Sequence, residues 1–205
     1  MGFERIFGVG REEVWRQLST EIGADFIDGG FWRGNKVQAH LKNWTLTLDL
    51  YVVSTGHSHV EYTRLRAPFV NRDGFRFRIY RKGLFSGLGK ALGMQDIESG
   101  HSAAFDEAFI LQGNDESKVR RLLANPEIRR LLEAQPRVRF ELKDDEGLFG
   151  PRFPEGVDEL MFLALGFIKD VEQLKALFDL FHEVLEELHR IGSAGEEDPG
   201  VVLGG

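Results

Sequence analysis

Two segments of the chain, residues 44–52 and 74–80, alternate apolar and polar side chains with a period of two. Residues 60–67 between them are predicted to form the returning strand, and short connections with glycine or proline separate the three segments. A period of two is typical of a β-strand that buries one face, and short connections favour antiparallel pairing of successive strands. The chain is therefore expected to build an antiparallel meander with one apolar and one polar face, in which Pro68 ends the second strand.

Helical patterns accompany these strands. Residues 11–22 carry apolar side chains at helical spacing, and a pair of shorter helical patterns lies in the middle of the chain. The longest pattern covers residues 170–191, where Asp170 can cap the helix and Gln173 is placed for a capping box. We expect an α+β fold, with an N-terminal helix, a central helix pair and a long C-terminal helix packed on the meander sheet. A helix-grip arrangement and a roll both agree with this order.

The rest of the chain adds further strands and a tail. Residues 108–112, 137–143 and 159–165 have strand patterns, and in the second of these Val138, Phe140 and Leu142 are expected to face inward. A chain of 205 residues suits one domain, which we place at residues 1–192. Residues 193–205 are small, acidic and rich in glycine, a composition that predicts a flexible C-terminal tail.

The composition excludes several classes of protein. There are 26 basic and 33 acidic side chains, and a net charge of −7 disfavours nucleic-acid binding. The chain has no cysteine, so disulfides and thiolate metal sites are excluded, and a reducing compartment is expected. No apolar run reaches the ~18 residues of a membrane span, and the N-terminus does not resemble a signal peptide. We therefore expect a soluble, cytoplasmic protein.

The sequence contains no recognisable catalytic or metal-binding motif. His57 and His59 lie two residues apart in a predicted turn, and two imidazoles are too few for a zinc site, which needs three or four protein ligands. Consecutive carboxylates such as those at 144–146 are usual in solvated turns. Neither a Gly-x-Ser-x-Gly motif nor a phosphate-binding glycine loop is present. We therefore predict no catalytic residue, no metal and no cofactor.

Four arginines alternate with apolar residues in two of the predicted strands. Because they have even spacing on strands expected to be neighbours, they should project from one face of the meander. Like charges that face each other across a strand pair are destabilising, so these arginines should meet carboxylates or an anionic ligand. Asp49 and Glu61 are the nearby carboxylates. A salt-bridged, exposed sheet face and an anion-binding patch are both consistent with the pattern, and the four residues are Arg64, Arg66, Arg76 and Arg78.

The connector at residues 83–94 is apolar where a connector is usually polar. Leu84, Leu88 and Leu92 recur at helical spacing, while four interleaved glycines oppose a stable helix. A second Gly-Leu-Phe sequence occurs at residues 147–149. Large apolar side chains on such loops either pack under the sheet or form an interaction surface. The residues predicted for this surface are Leu84, Phe85, Leu88, Leu92, Met94, Leu148 and Phe149.

Several short motifs carry a resemblance to a known family. The sequences at 63–69, 83–86 and 93–97 resemble an uncharacterised bacterial family that is known only as a domain of unknown function. Further matches to that family lie at 113–116, 143–147 and 154–160, so the similarity spans nearly the whole chain. The resemblance implies a bacterial protein. It transfers no activity, cofactor or site residue.

Two functional hypotheses follow from these patterns. The first is a non-enzymatic cytoplasmic module that works through protein contacts, including self-association, at the apolar surface. The alternative is a protein that binds a small ligand or an anion, or a hydrolase-like enzyme, with a cavity between the sheet and the C-terminal helix. Contact with a membrane surface is not favoured, because only Lys82 and Lys90 supply positive charge near the apolar connector.

Overall fold

The computed structural model describes residues 10–30, 34–54, 56, 59–83, 94–143 and 153–203. These residues form five helices: α1 (Arg11–Ile22), α2 (Ala103–Ala108), α3 (Glu116–Ala124), α4 (Pro126–Glu133) and α5 (Val171–Arg190). They also form nine strands: β1 (Asp25–Ile27), β2 (Lys36–Leu41), β3 (Trp44–Ser54), β4 (His59–Val70), β5 (Phe77–Arg81), β6 (Gln95–Ile97), β7 (Phe109–Gly113), β8 (Arg139–Lys143) and β9 (Val157–Leu165). None of the helices in these ranges is both long and apolar enough to cross a bilayer.

The nine strands form one open antiparallel sheet in the order β1-β2-β3-β4-β9-β8-β5-β7-β6. With the N-terminal, central and C-terminal helices, this arrangement confirms the predicted α+β fold. The meander holds for β1 to β4, but β9 and β8 lie between β4 and β5. The expectation that the two arginine-bearing strands are neighbours is therefore wrong. The connection at 71–76 can extend about 20 Å, which is enough to pass the ends of two intervening strands about 4.8 Å apart.

The apolar face of the sheet is packed against α5. Leu65, Phe140 and Phe162 lie on this face and are fully buried, and the ring of Phe140 meets that of Phe181 on α5 edge-to-face, with centroids 5.5 Å apart. Asp170 caps α5 as predicted, by accepting hydrogen bonds from the next backbone amides. The reciprocal half of the predicted capping box differs, because the Gln173 side chain donates to Gln135 Oε1 instead.

Pro68 does not end β4, contrary to the sequence-based expectation. It pairs with Glu159 of β9, and the strand continues to Val70. The backbone amide of Asn71 donates towards the β9 side of β4. Because amide directions alternate along a strand, an amide at position 68 would point to the side of β4 away from β9. Proline has no N–H to donate on that side. The register of β3 with β4 reaches only to the pair Thr47–Arg66, so no ladder hydrogen bond is lost at Pro68.

The C-terminal segment at 193–203 packs against the sheet, which differs from the flexible tail expected from its composition. Ser193 accepts a backbone hydrogen bond from Arg72, and Gly195 donates one to Val70. The segment therefore lies beside the end of β4, which β3 does not reach. The indole Nε1 of Trp44 donates to the Gly195 carbonyl over 3.1 Å, and both groups are held in the interior.

Candidate functional site

The face of the sheet opposite α5 carries most of the charged side chains of the strands, and we call it the polar face. The strand registers align one residue from each of seven strands in a row across it. Such rows bring side chains of neighbouring strands within contact distance. From β3 to β6 the row is Thr47, Arg66, Met161, Glu141, Arg78, Gln112 and Asp96.

One charged cluster on the polar face is closed to solvent. Arg64 holds Asp49 through two parallel hydrogen bonds of 2.8 Å, and Arg66 Nη2 reaches the same carboxylate at 2.5 Å. All three side chains are almost inaccessible. Buried charges are tolerated only when they are paired and hydrogen-bonded, and the bidentate geometry meets that need. We infer that this cluster is structural.

A second cluster on the polar face is partly open. Arg78 Nε donates to Glu141 over 2.7 Å, and Arg139 Nη2 lies 2.9 Å from the other oxygen of the same carboxylate. Lys143 Nζ lies 3.8 Å from Glu159. The side chains of Arg78, Arg139 and Lys143 are 16%, 26% and 23% exposed, whereas those of Glu141 and Glu159 are 3% and 0% exposed.

In the second cluster, the positive groups are more exposed to solvent than the carboxylates. The carboxylates form its floor, and the positive groups lie between that floor and the solvent. A molecule that approaches from solvent therefore meets positive charge first. Arg78, Arg139 and Lys143 are called the cationic cluster below.

The four arginines selected from the sequence occupy three different settings. Arg64 and Arg66 share Asp49, and Arg78 belongs to the cationic cluster. The Arg76 Nε lies 3.6 Å from Asp158 at the end of the sheet, and its side chain is the most exposed of the four. Asp49 is the partner expected from the sequence. Glu61, the other expected carboxylate, pairs with Arg11 of α1 at 2.6 Å.

Sequence reasoning missed the side chains contributed by β8 and β9. The alternation at 137–143 already placed Val138, Phe140 and Leu142 on the apolar face, so it also placed the intervening residues on the opposite face. That signal was sufficient to select Arg139, Glu141 and Lys143. It could not show that β8 pairs with β5 and so brings Glu141 opposite Arg78.

The predicted apolar interaction surface lies almost entirely outside the described residues. Of its seven members only Met94 is described, and it is half-buried. Leu84, Phe85, Leu88, Leu92, Leu148 and Phe149 fall in the ranges 84–93 and 144–152, which lie outside the described residues. Within the described ranges, the large apolar side chains with most exposure are Tyr51, Val52, Leu165 and Val202.

The space between the sheet and α5 is filled by side chains. Leu177, Phe181 and Val184 of α5 are completely buried against the sheet, where the alternative hypothesis places a ligand cavity. A cavity of about 160 Å³ lies instead at the other face, under residues 201–203. Its polar lining includes Gln38 and Thr47.

A polar group near the C-terminal segment has the composition of a catalytic triad but not its properties. The Ser193 hydroxyl donates to Asp73 Oδ2 over 2.9 Å, and Lys118 Nζ binds both the same carboxylate and the Ser193 oxygen. Ser193 is fully buried, and Lys118 is held as an ion pair. The hydroxyl therefore has neither a free base nor access for a substrate. The group instead joins the C-terminal segment to α3 and to the β4–β5 connection.

In the described ranges, no group of three or more His, Asp or Glu side chains could hold a metal ion. His59 begins β4 and is exposed, and His57 lies outside the described residues. His101 contacts the Arg120 carbonyl through Nε2 over 3.1 Å.

Comparison with known proteins gives no relative. No family model matches the chain, and neither a curated protein nor a solved structure shows significant similarity to it. The resemblance to an uncharacterised bacterial family therefore stays a prediction, and function is argued from the site alone.

Proposed function

We propose that this protein binds a small anion at the cationic cluster on the polar face, and that it acts as a binding protein rather than an enzyme. The observation that carries the proposal is the arrangement of charge by depth. Arg78, Arg139 and Lys143 are partly exposed, and the carboxylates beneath them are inaccessible.

The carboxylate floor supports binding because it holds the positive groups in place before a ligand arrives. Two guanidinium groups share the single negative charge of Glu141, so this unit keeps a net positive charge. A guanidinium presents its donors in a planar fork that fits a carboxylate or a phosphate. Preorganised donors lose little conformational entropy on binding, which raises affinity.

The same arrangement favours binding over catalysis. General acid–base chemistry requires a carboxylate or imidazole within hydrogen-bond reach of the substrate. Glu141 and Glu159 are inaccessible to solvent and lie within ion-pair distance of cationic side chains. The cluster therefore supplies charge and orientation to a ligand but no described proton-transfer group.

The proposal is tested by titrating the protein with two probes, inorganic phosphate and acetate. Binding is measured from the NMR chemical-shift changes of the β8 and β5 amides. We expect saturable shifts that weaken with added salt, because the contact is ionic. Arg139→Gln should weaken binding at least tenfold and keep the fold, because Arg78 still pairs with Glu141. Arg130→Gln is the matched control, since Arg130 forms an exposed pair with Glu127 on α4.

Two results would overturn the proposal. One is the absence of saturable shifts with either probe in the wild-type protein. The other is equal binding by wild type, Arg139→Gln and Lys143→Gln, which would show that the anion binds elsewhere.

The expectation of a cytoplasmic module that works through protein contacts stays a separate proposal. It rests on the apolar connector, whose leucines lie outside the described residues. A cytoplasmic location is supported by the absence of cysteine from the sequence. Sedimentation of the wild type beside Leu88→Ser tests the self-association that this proposal includes.

A further inference from the structure

Exposed apolar side chains adjoin the cationic cluster on the same face of the sheet. Tyr51 and Tyr62 face each other across β3 and β4, with ring centroids 6.4 Å apart. The guanidinium carbon of Arg64 lies 4.6 Å from the centre of the Tyr51 ring, which places the tyrosine pair on the polar face. On the central strand β9, Leu165 continues the alternation that puts Leu163 on this face.

The exposure of these residues is unusual for the described chain. Tyr51 is 40% exposed and Leu165 is 50% exposed, and they are two of only four large apolar residues exposed in the described ranges. Scattered exposed apolar residues need no explanation, but adjacent ones on one face mark a contact site. Here they lie beside a group of partly exposed positive charges.

Leu163 connects the two features. In the strand registers it lies directly opposite Arg139 on one side and Arg64 on the other. From Arg139 to Tyr62 the path crosses two strand spacings and moves two residues along β4, a distance of roughly 12 Å. An extended aliphatic chain of that length covers this path.

We infer that the natural ligand of the cationic cluster is an anion with an aliphatic tail, a fatty carboxylate or an alkyl phosphate. Its head binds Arg139 and Arg78, and its tail passes the buried Leu163 and covers Leu165 and the tyrosine pair. This inference rests on the proposed function, because it extends the ligand from the same site.

Charge complementarity and hydrophobic burial select this ligand class together. The positive groups select the anionic head, and the apolar residues beside them favour a tail. Each methylene group removed from water strengthens binding by roughly fourfold. A compact anion such as phosphate leaves Tyr51 and Leu165 in contact with water, whereas a tailed anion covers them.

The experiment compares acetate, octanoate and octyl phosphate as probes by calorimetry and NMR. We expect octanoate to bind at least tenfold more tightly than acetate, with shifts at Leu165, Tyr62 and Tyr51 that acetate does not cause. Leu165→Ser should remove this preference and leave acetate and phosphate binding unchanged. Val202→Ser is the matched control, because Val202 is highly exposed and lies in the C-terminal segment. Circular dichroism of each variant verifies the fold.

The possible outcomes separate the inference from the proposed function. If no probe binds, the proposed function fails and the inference fails with it. If acetate and octanoate bind equally, the anion site stands and the tail is overturned. A preference for octanoate over octyl phosphate, or the reverse, identifies the head and supports the inference. If the protein floats with anionic phospholipid vesicles and binds neither tailed probe, a lipid surface replaces the soluble ligand and the inference is overturned.

Discussion

Glu141 lies directly opposite Arg78 in the register of β8 and β5, and the two side chains meet in an ion pair of 2.7 Å. The carboxylate is buried and the guanidinium is partly exposed, so the pair points its positive end to solvent. Arg139 approaches the same carboxylate from its other oxygen. Glu141 therefore holds two of the three positive groups of the proposed site.

Replacement of Glu141 by glutamine should destabilise the protein by about 3 kcal/mol. The change leaves Arg78 and Arg139 adjacent without the charge that both of them use, and breaking a buried ion pair typically costs about 3–5 kcal/mol. The free energy of unfolding in urea measures this loss. Glu127→Gln is the control, because the Glu127–Arg130 pair on α4 is exposed and should contribute little to stability. Equal effects of the two substitutions would contradict the assigned role of Glu141.

The contacts that could be predicted from the sequence are those within one hairpin. Asp49 and Arg64 lie on β3 and β4, which follow each other in the chain, so period-two alternation placed both on one face and their pairing was expected. Arg78 and Glu141 belong to strands β5 and β8, and the chain between them forms two further strands and three helices. Alternation gives the face of each residue, but the partner of a distant strand depends on the packing of the whole sheet.

The C-terminal segment shows a different limit of sequence reasoning. Ser193, Ala194 and Gly195 are small, and small residues are common in flexible tails. Small residues are also those that allow a backbone to approach a strand edge closely, and here Ser193 and Gly195 bond to the backbone beside β4. Composition alone does not distinguish these cases, because the decisive interactions are made by main-chain atoms.

Removal of residues 193–205 should destabilise the protein by several kcal/mol. The truncation leaves the buried Trp44 indole without its acceptor at Gly195, and an unsatisfied buried donor typically costs about 1–3 kcal/mol. It also removes the backbone partners of Val70, at the end of β4, and of Arg72. Thermal unfolding should show the loss. The control is the double substitution Glu196→Gln and Glu197→Gln, which removes exposed ion pairs and keeps the backbone contacts. A truncated protein as stable as the wild type would show that this segment contributes nothing to the fold.

Phe181→Ala should be among the most destabilising single changes in the chain. Phe181 is completely buried between α5 and the sheet and meets Phe140 edge-to-face. Truncation of such a phenylalanine typically costs about 3–5 kcal/mol, because burial is lost and a cavity remains. Urea denaturation measures the change. Phe26→Ala is the comparison, since Phe26 is only partly buried on edge strand β1 and should cost less. The reverse order would mean that α5 does not cover the main core.

The Asp73 carboxylate should contribute to acid sensitivity. Burial acts most strongly on the pKa of Asp73 and would raise it. Hydrogen bonds from Lys118, the Phe75 amide and Ser193 together outweigh that effect and lower the pKa of Asp73 below its usual value. A carboxylate whose pKa is lower in the folded state stabilises the fold above its unfolded pKa of about 3.9, and this contribution is lost as pH falls through the folded pKa.

Asp73→Asn tests this assignment through the dependence of Tm on pH. The variant should be less stable than the wild type at neutral pH, because Lys118 and Ser193 lose a charged acceptor. Below about pH 4 the wild type should lose stability faster, so the two curves should converge towards low pH. Asp198→Asn is the control, because Asp198 is exposed near the end of the C-terminal segment and should leave the curve unchanged. Curves for wild type and Asp73→Asn that stay parallel to low pH would contradict the stabilising role of the ionised Asp73 carboxylate.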